Sequence, residues 1–237
     1  MNTGMEMDWQ KLLDKFRQYA AAAPAPAAAD EASTGSGKAA AACEASLLAE
    51  CGVFARYRDA TFANIEARGV PVELRAQVDT VRDYAEHLEL NVRQGFGLLL
   101  RGPVGTMKTS LAVAVMQYWL QQGGHAFFLT MPSLMDSIFS AKATSPEDWN
   151  RFETKLRQVP LLVLDDLGTE WPGGWGMTKV DAIFSERYNR QRSTIVTTNL
   201  GGAEMKSRYA DRIIDRLRAT THVITCNTPE SLRESCR

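Results

Sequence analysis

The stretch Gly102-Pro103-Val104-Gly105-Thr106-Met107-Lys108-Thr109-Ser110 constrains this chain more than any other. An apolar run, Gly97-Leu98-Leu99-Leu100, precedes it, and a helix-compatible run from Leu111 to Met116 follows. Strand, glycine loop, Lys-Thr and helix in that order describe a phosphate-binding loop, whose backbone N–H groups and helix N-terminus face the phosphates. Lys108 is placed to reach the β- and γ-phosphates, and the Thr109 hydroxyl to sit on Mg2+. The residue before the lysine is normally glycine in such loops, and here it is Met107. A side chain there requires a backbone that is already helical and a Cβ turned away from the phosphates.

The residues that follow supply the rest of a sheet. After Gly123-Gly124, Ala126-Phe127-Phe128-Leu129-Thr130 reads as a second strand. Residues 132–158 hold two helices separated by Thr144-Ser145-Pro146, with Ser145 as a cap and Pro146 at the first position of the second. Pro160 to Asp166 is an apolar run ending in two acids, the pattern of a buried parallel strand with carboxylates at its C-terminal edge. That edge is where α/β sheets bind ligands. Asp165 would hold Mg2+ through water, and Asp166 would orient an attacking water. Residues 178–191 form an amphipathic helix, and Thr194-Ile195-Val196-Thr197-Thr198 is a further strand ending in Asn199. The Asn199 amide would hydrogen-bond the γ-phosphate or the water.

A last helix is expected from about Met205 to Arg218. Arg208, Arg212 and Arg216 recur along it every four residues and so share a face. They form either a solvated face paired to Asp211 and Asp215, or they present one arginine to a neighbouring subunit's γ-phosphate. Spacing does not choose among the three. His222 to Cys226 closes the pattern as a final strand. Five strands alternating with helices predict a parallel sheet covered on both faces.

Upstream of the loop the chain changes character. In residues 1–20, Trp9, Leu12, Leu13 and Phe16 keep helical spacing behind Asp8. So short a helix is marginal alone and docks either on its own domain or in a partner's groove. Residues 21–42 are rich in Ala and Pro, then in Ser and Gly, and read as a linker. Thr34-Gly35-Ser36-Gly37-Lys38 within it is a decoy of a phosphate loop, with no preceding strand and Ala39 in place of Ser or Thr. Residues 43–237 are assigned to one domain. Within it, Pro71 is expected at the first position of a helix carrying Leu74, Val78, Val81, Ala85 and Leu88 and ending before Gly95.

A length of 237 residues with 45% apolar content supports one sizeable α/β domain and a small appendage. Net charge is −1, so any nucleic-acid contact must come from a local patch or from assembly. Cys43, Cys51, Cys226 and Cys236 form no CxxC pair and read as thiols of a reducing compartment. No signal-peptide or membrane-span pattern is present, which predicts a cytoplasmic protein with no membrane partner.

With these residues in hand, the chain resembles the DnaC/IstB branch of the AAA+ ATPases, which includes bacterial and phage helicase loaders. The resemblance runs from about Tyr57 to Arg233. It is carried by Tyr57-Arg58-Asp59-Ala60-Thr61-Phe62, the loop through Lys108-Thr109, Leu162 to Gly168, Glu186-Arg187-Tyr188-Asn189, Thr194 to Leu200, and Asp211 to Leu217. It implies an AAA+ core that binds ATP and Mg2+ and self-associates into ATP-dependent rings or spirals, with most of the helical lid absent. By likeness Lys108 and Thr109 belong to Walker A and Asp165 and Asp166 to Walker B. Asn199 is sensor 1, Arg212 the arginine finger, and Arg216 the other family arginine. Partners implied are a replicative helicase, gripped by residues 1–20, and single-stranded DNA; Lys142, Arg151, Lys155 and Arg157 either line a channel for the DNA or form a solvated charged face, the commoner reading for any one of them. Two other roles share this core: a transposition helper ATPase, and a nucleotide-bound adaptor with little turnover, which Met107 motivates.

Overall fold

The computed structural model describes residues 46–141, 146–170 and 174–233. The expected N-terminal helix, the linker with its decoy, Lys142 and Ser145 lie outside these residues. Five strands form one sheet: β1 Gly97–Arg101, β2 Ala126–Thr130, β3 Leu161–Leu167, β4 Ser193–Thr198 and β5 Thr221–Thr225. All pairings are parallel, in the order β2-β3-β4-β1-β5. The expected doubly covered parallel α/β sheet is therefore present.

Period-two alternation assigns each strand's side chains to two cores. Leu98, Leu100, Phe128, Val163 and Ile195 enter one, against the helices α1 Phe62–Ala67, α2 Arg75–Glu86, α3 Leu88–Gln94 and α4 Lys108–Gln121. Leu99, Phe127, Leu129, Leu162, Leu164 and Val196 enter the other. There they meet α5 Met131–Ala141, α6 Pro146–Gln158, α7 Gly174–Asn189, α8 Gly202–Arg208 and α9 Asp211–Thr220. The strands are apolar on both faces because both are covered.

Local chemistry sets several boundaries. Thr61 caps α1, its hydroxyl accepting the Asn64 amide at 3.1 Å. Buried Gln117 on α4 donates to the Arg58 and Ala60 carbonyls, tying the Tyr57–Phe62 segment to the helix behind the loop. Pro71 is not the first helical residue: it precedes a 3-10 turn at Val72–Leu74, with ψ 147°. The single helix expected after it breaks at His87 into α2 and α3, although Leu74, Val78, Val81, Ala85 and Leu88 are all buried as the spacing requires. Gly95 ends α3 at φ 77°, where a Cβ would fall 2.7 Å from the Gln191 backbone.

The helix expected over 205–218 is two helices. Tyr209 is extended, at φ −112° and ψ 147°, and its buried hydroxyl donates to the Glu170 carboxylate. Arg208 on α8 therefore does not share a face with Arg212 and Arg216 on α9. Arg187, in the last turn of α7, is fully buried. It donates to the Leu156 and Val159 carbonyls, to the Ser193 carbonyl and to Thr194 Oγ1. It staples α6, α7 and β4 with carbonyl oxygens and a hydroxyl, and burial pulls its pKa down to about 9. Among the described residues, no helix is long and apolar enough to cross a membrane.

Candidate nucleotide site at the carboxyl edge of the sheet

β4 lies between β1 and β3, so the loop after β1, the acids of β3 and Asn199 after β4 meet at one edge of the sheet. The loop leaves β1 at Gly102, φ 147°, and turns again at Gly105, φ 85°. Both positions also need glycine for space. A Cβ on Gly102 would fall 1.9 Å from the Cys226 carbonyl oxygen, and one on Gly105 2.0 Å from Ser231 Oγ. The chain after β5 thus lies against the loop, and the Leu232 amide donates to the Gly105 carbonyl at 3.0 Å.

Met107 occupies the N-cap position of α4 at φ 62° and ψ 8°, a left-handed conformation rather than the helical one expected. The half-buried side chain packs against the core beneath the loop. That contact offsets a backbone region that disfavours L-residues by about 1–2 kcal/mol. The buried Lys108 ammonium donates to the Gly102 carbonyl at 2.8 Å and the Pro103 carbonyl at 2.5 Å. Burial pulls its pKa below the usual lysine range. Cys226, Asp166 and Asp165 oppose that shift, and the Arg233 charge adds to it.

Thr109 Oγ1 donates to Asp165 Oδ1 at 3.0 Å, joining the loop to the acidic strand. A hydroxyl and a carboxylate at hydrogen-bond distance are hard oxygen donors of the kind Mg2+ takes from protein, with water and phosphate completing its shell. The residues present fit that ion. Asp165 is buried, and desolvation raises its pKa to about 6 against the lowering effect of bonds from Thr197 and Thr109. Between the pairs Leu164–Val196 and Leu167–Thr198, two residues of β3, Asp165 and Asp166, stand opposite one of β4, Thr197. Asp166 sits in this bulge at φ 59°, its amide donating to Thr197 Oγ1 at 2.9 Å. The bulge re-aims the second acid toward the edge. Asn199 is exposed beside it. Thr197 was missed in the sequence; its position two residues before Asn199 on the strand was the available signal.

The three arginines separate. Arg208 donates to the Glu170 carbonyl and lies 3.7 Å from the Glu170 carboxylate, which is fully buried. Arg212 and Arg216 pair not with Asp211 and Asp215 but with Asp181 on α7. Arg157, expected on a DNA-facing surface, is bonded to Glu153 at 2.6 Å.

A family model described as "IstB-like ATP binding protein" matches residues 80–237. The chain is similar to the "Replicative helicase loader DnaC" of Buchnera aphidicola subsp. Acyrthosiphon pisum (strain APS). The two are 28% identical over 177 residues, covering 73% of this chain and 68% of the other. It is also similar to the "Putative insertion sequence ATP-binding protein y4pL" of Sinorhizobium fredii (strain NBRC 101917 / NGR234), 29% identical over 185 residues and 74% of each chain. Its fold is similar to that in the "Crystal structure of the DnaC helicase loader", with a TM-score of 0.65 and 24% identity, over 73% of this chain and all of that one.

Proposed function

The chain belongs to the IstB-like ATP-binding protein family, and from that premise we propose that it is an ATPase that loads a replicative helicase onto single-stranded DNA. The observation that carries this reading is the Thr109–Asp165 bond beneath the bulged Asp166, in a chain similar to helicase loaders over most of its length. On this reading Gly102 to Ser110 wrap the phosphates of ATP, and Lys108 turns its ammonium from the loop carbonyls to the phosphate oxygens. Thr109 and Asp165 hold Mg2+, which supplies charge neutralisation at the β- and γ-phosphates when bound. Asp166 accepts a hydrogen bond from the attacking water and orients it, with Asn199 beside it. Arg212 reaches the γ-phosphate of a neighbouring copy, so that turnover depends on assembly. Residues 1–20 are the proposed grip on the helicase.

The 29% identity to an insertion-sequence ATP-binding protein favours a second reading, in which the same ATPase serves a transposase. Affinity capture from host lysate with MgATP separates the two, comparing the full chain with one starting at Cys43. Retention of a hexameric replicative helicase by the full chain alone supports the loader. Retention of a transposase transfers the role. Absence of DNA-stimulated hydrolysis in the full chain, against the activity that Lys108→Ala should abolish, overturns the ATPase reading in favour of a nucleotide-bound adaptor.

A further inference from the structure

Two helices meet in a ladder of like spacing. Asp181, Ser185 and Tyr188 follow one another on α7, and Arg212 and Arg216 stand one turn apart on α9. Arg212 NH2 is ion-paired with Asp181 Oδ2. Arg216 NH1 lies 3.8 Å from Asp181 Oδ1, donates to Ser185 Oγ, and its guanidinium stands over the Tyr188 ring at 5.7 Å. The Asp181 side chain is only 13% exposed, whereas Arg212 is 63% exposed. Oδ1 of Asp181 is buried and accepts no hydrogen bond.

One sequestered carboxylate therefore collars two guanidinium groups, and the outer one is the more open to a second molecule. A guanidinium carries five N–H donors in a rigid plane. The Asp181 contact engages one amino group of Arg212 and leaves the rest of the fork to the outside. Without that contact, Arg212 would search the rotamers of a long exposed side chain, and a group that must meet a phosphate in trans loses rate steeply when misplaced.

We propose that Asp181 is a positioning residue for hydrolysis in the neighbouring copy: it holds Arg212 in one orientation toward that copy's nucleotide. Arg216 is the reserve partner of the same carboxylate. When Arg212 shifts outward onto a phosphate, Arg216 closes on the unbonded Oδ1 and keeps the carboxylate compensated. This rests on the reading of Arg212 as a group acting in trans.

The test uses the full chain with MgATP and single-stranded DNA at concentrations where it assembles. Asp181→Ala and the volume-conserving Asp181→Asn are compared with Arg212→Ala. Asp181→Ala should lower kcat at least tenfold, and Asp181→Asn in the same direction. Binding of a fluorescent ATP analogue to each subunit's own site should stay within twofold. Mixing either variant with Asp166→Asn, whose own site is dead but whose Arg212 is intact, should restore turnover toward half the wild-type rate per competent site. A merely structural defect would not respond to mixing. Wild-type kcat in both Asp181 variants, with Arg212→Ala inactive, overturns the proposal and leaves the trans reading standing. Loss of turnover that mixing does not restore also overturns it, because Asp181 would then serve its own subunit. Wild-type turnover by Arg212→Ala removes the trans reading and the proposal together.

Discussion

Thr197 Oγ1 donates a 2.6 Å hydrogen bond to Asp165 Oδ1 and in turn accepts the Asp166 amide at 2.9 Å. One fully buried hydroxyl on β4 thus orients the first acid of β3 and anchors the backbone of the second. The bulge in β3 takes Asp166 out of the regular ladder with β4, and the threonine side chain supplies the acceptor that its amide needs.

Thr197→Val keeps the shape and removes both bonds. A buried N–H and a buried carboxylate each lose a partner, which costs about 1–3 kcal/mol. Chemical denaturation should register that loss. Steady-state hydrolysis should fall about tenfold or more, and Thr197→Ser should recover most of both.

Asp165 predicts how stability follows pH in the nucleotide-free chain. Its carboxyl keeps its proton up to about pH 6 when folded but releases it near 3.8 when unfolded. Between those values the folded chain binds more protons, so this stabilisation is complete below about pH 4 and is lost as pH rises through 6. The shift corresponds to about 3 kcal/mol. Urea midpoints at pH 5 and pH 7.5 should show Asp165→Asn more stable than wild type at the higher pH and less pH-dependent. With MgATP, the cation that Asp165 would hold favours the charged carboxylate, so the acid limb of wild-type hydrolysis should fall below the pH at which the nucleotide-free chain titrates.

Met107 makes a separable prediction. Met107→Ala keeps the left-handed strain and discards the packing, whereas Met107→Gly discards both. The glycine variant should be the more stable of the two by about 1 kcal/mol, measured by denaturation. Its hydrolysis should equal or exceed that of wild type.

Arg208 and Arg212 should behave oppositely. Arg208→Ala leaves the buried Glu170 carboxylate without its cation and should destabilise the fold by about 3 kcal/mol or more. Arg212 is largely exposed and Arg216 still faces Asp181 at 3.8 Å when it is removed, so Arg212→Ala should change stability by less than about 1 kcal/mol. On the trans reading it should lower assembly-dependent hydrolysis about a thousandfold. Thermal melts and hydrolysis rates on the same preparations separate the two.

Much of the site was legible because each of its parts is local. The Lys-Thr loop follows an apolar strand within a few residues, and the two acids end the apolar run of β3. Asn199 is likewise the residue after β4. The errors arose where local periodicity met a distant partner. Arg208, Arg212 and Arg216 keep perfect helical spacing, yet Tyr209 breaks the helix to reach Glu170, 39 residues earlier in the chain. Arg187 lies on the apolar side of its helix as the pattern places it, and what the pattern does not show is its partners, carbonyls of α6 and β4.

The sequence by itself determined the parallel α/β sheet, the order of its strands along the chain and the residues gathered at its carboxyl edge. Apolar runs, turn glycines and strand-end polar residues act over a few positions, and the physics of a doubly covered sheet does the rest. The tertiary structure decided how that edge is tuned: the left-handed Met107, the bulge at Asp166 and the Thr197 bridge. Each depends on register between segments far apart in the chain, where an offset of one residue turns a side chain to the opposite face.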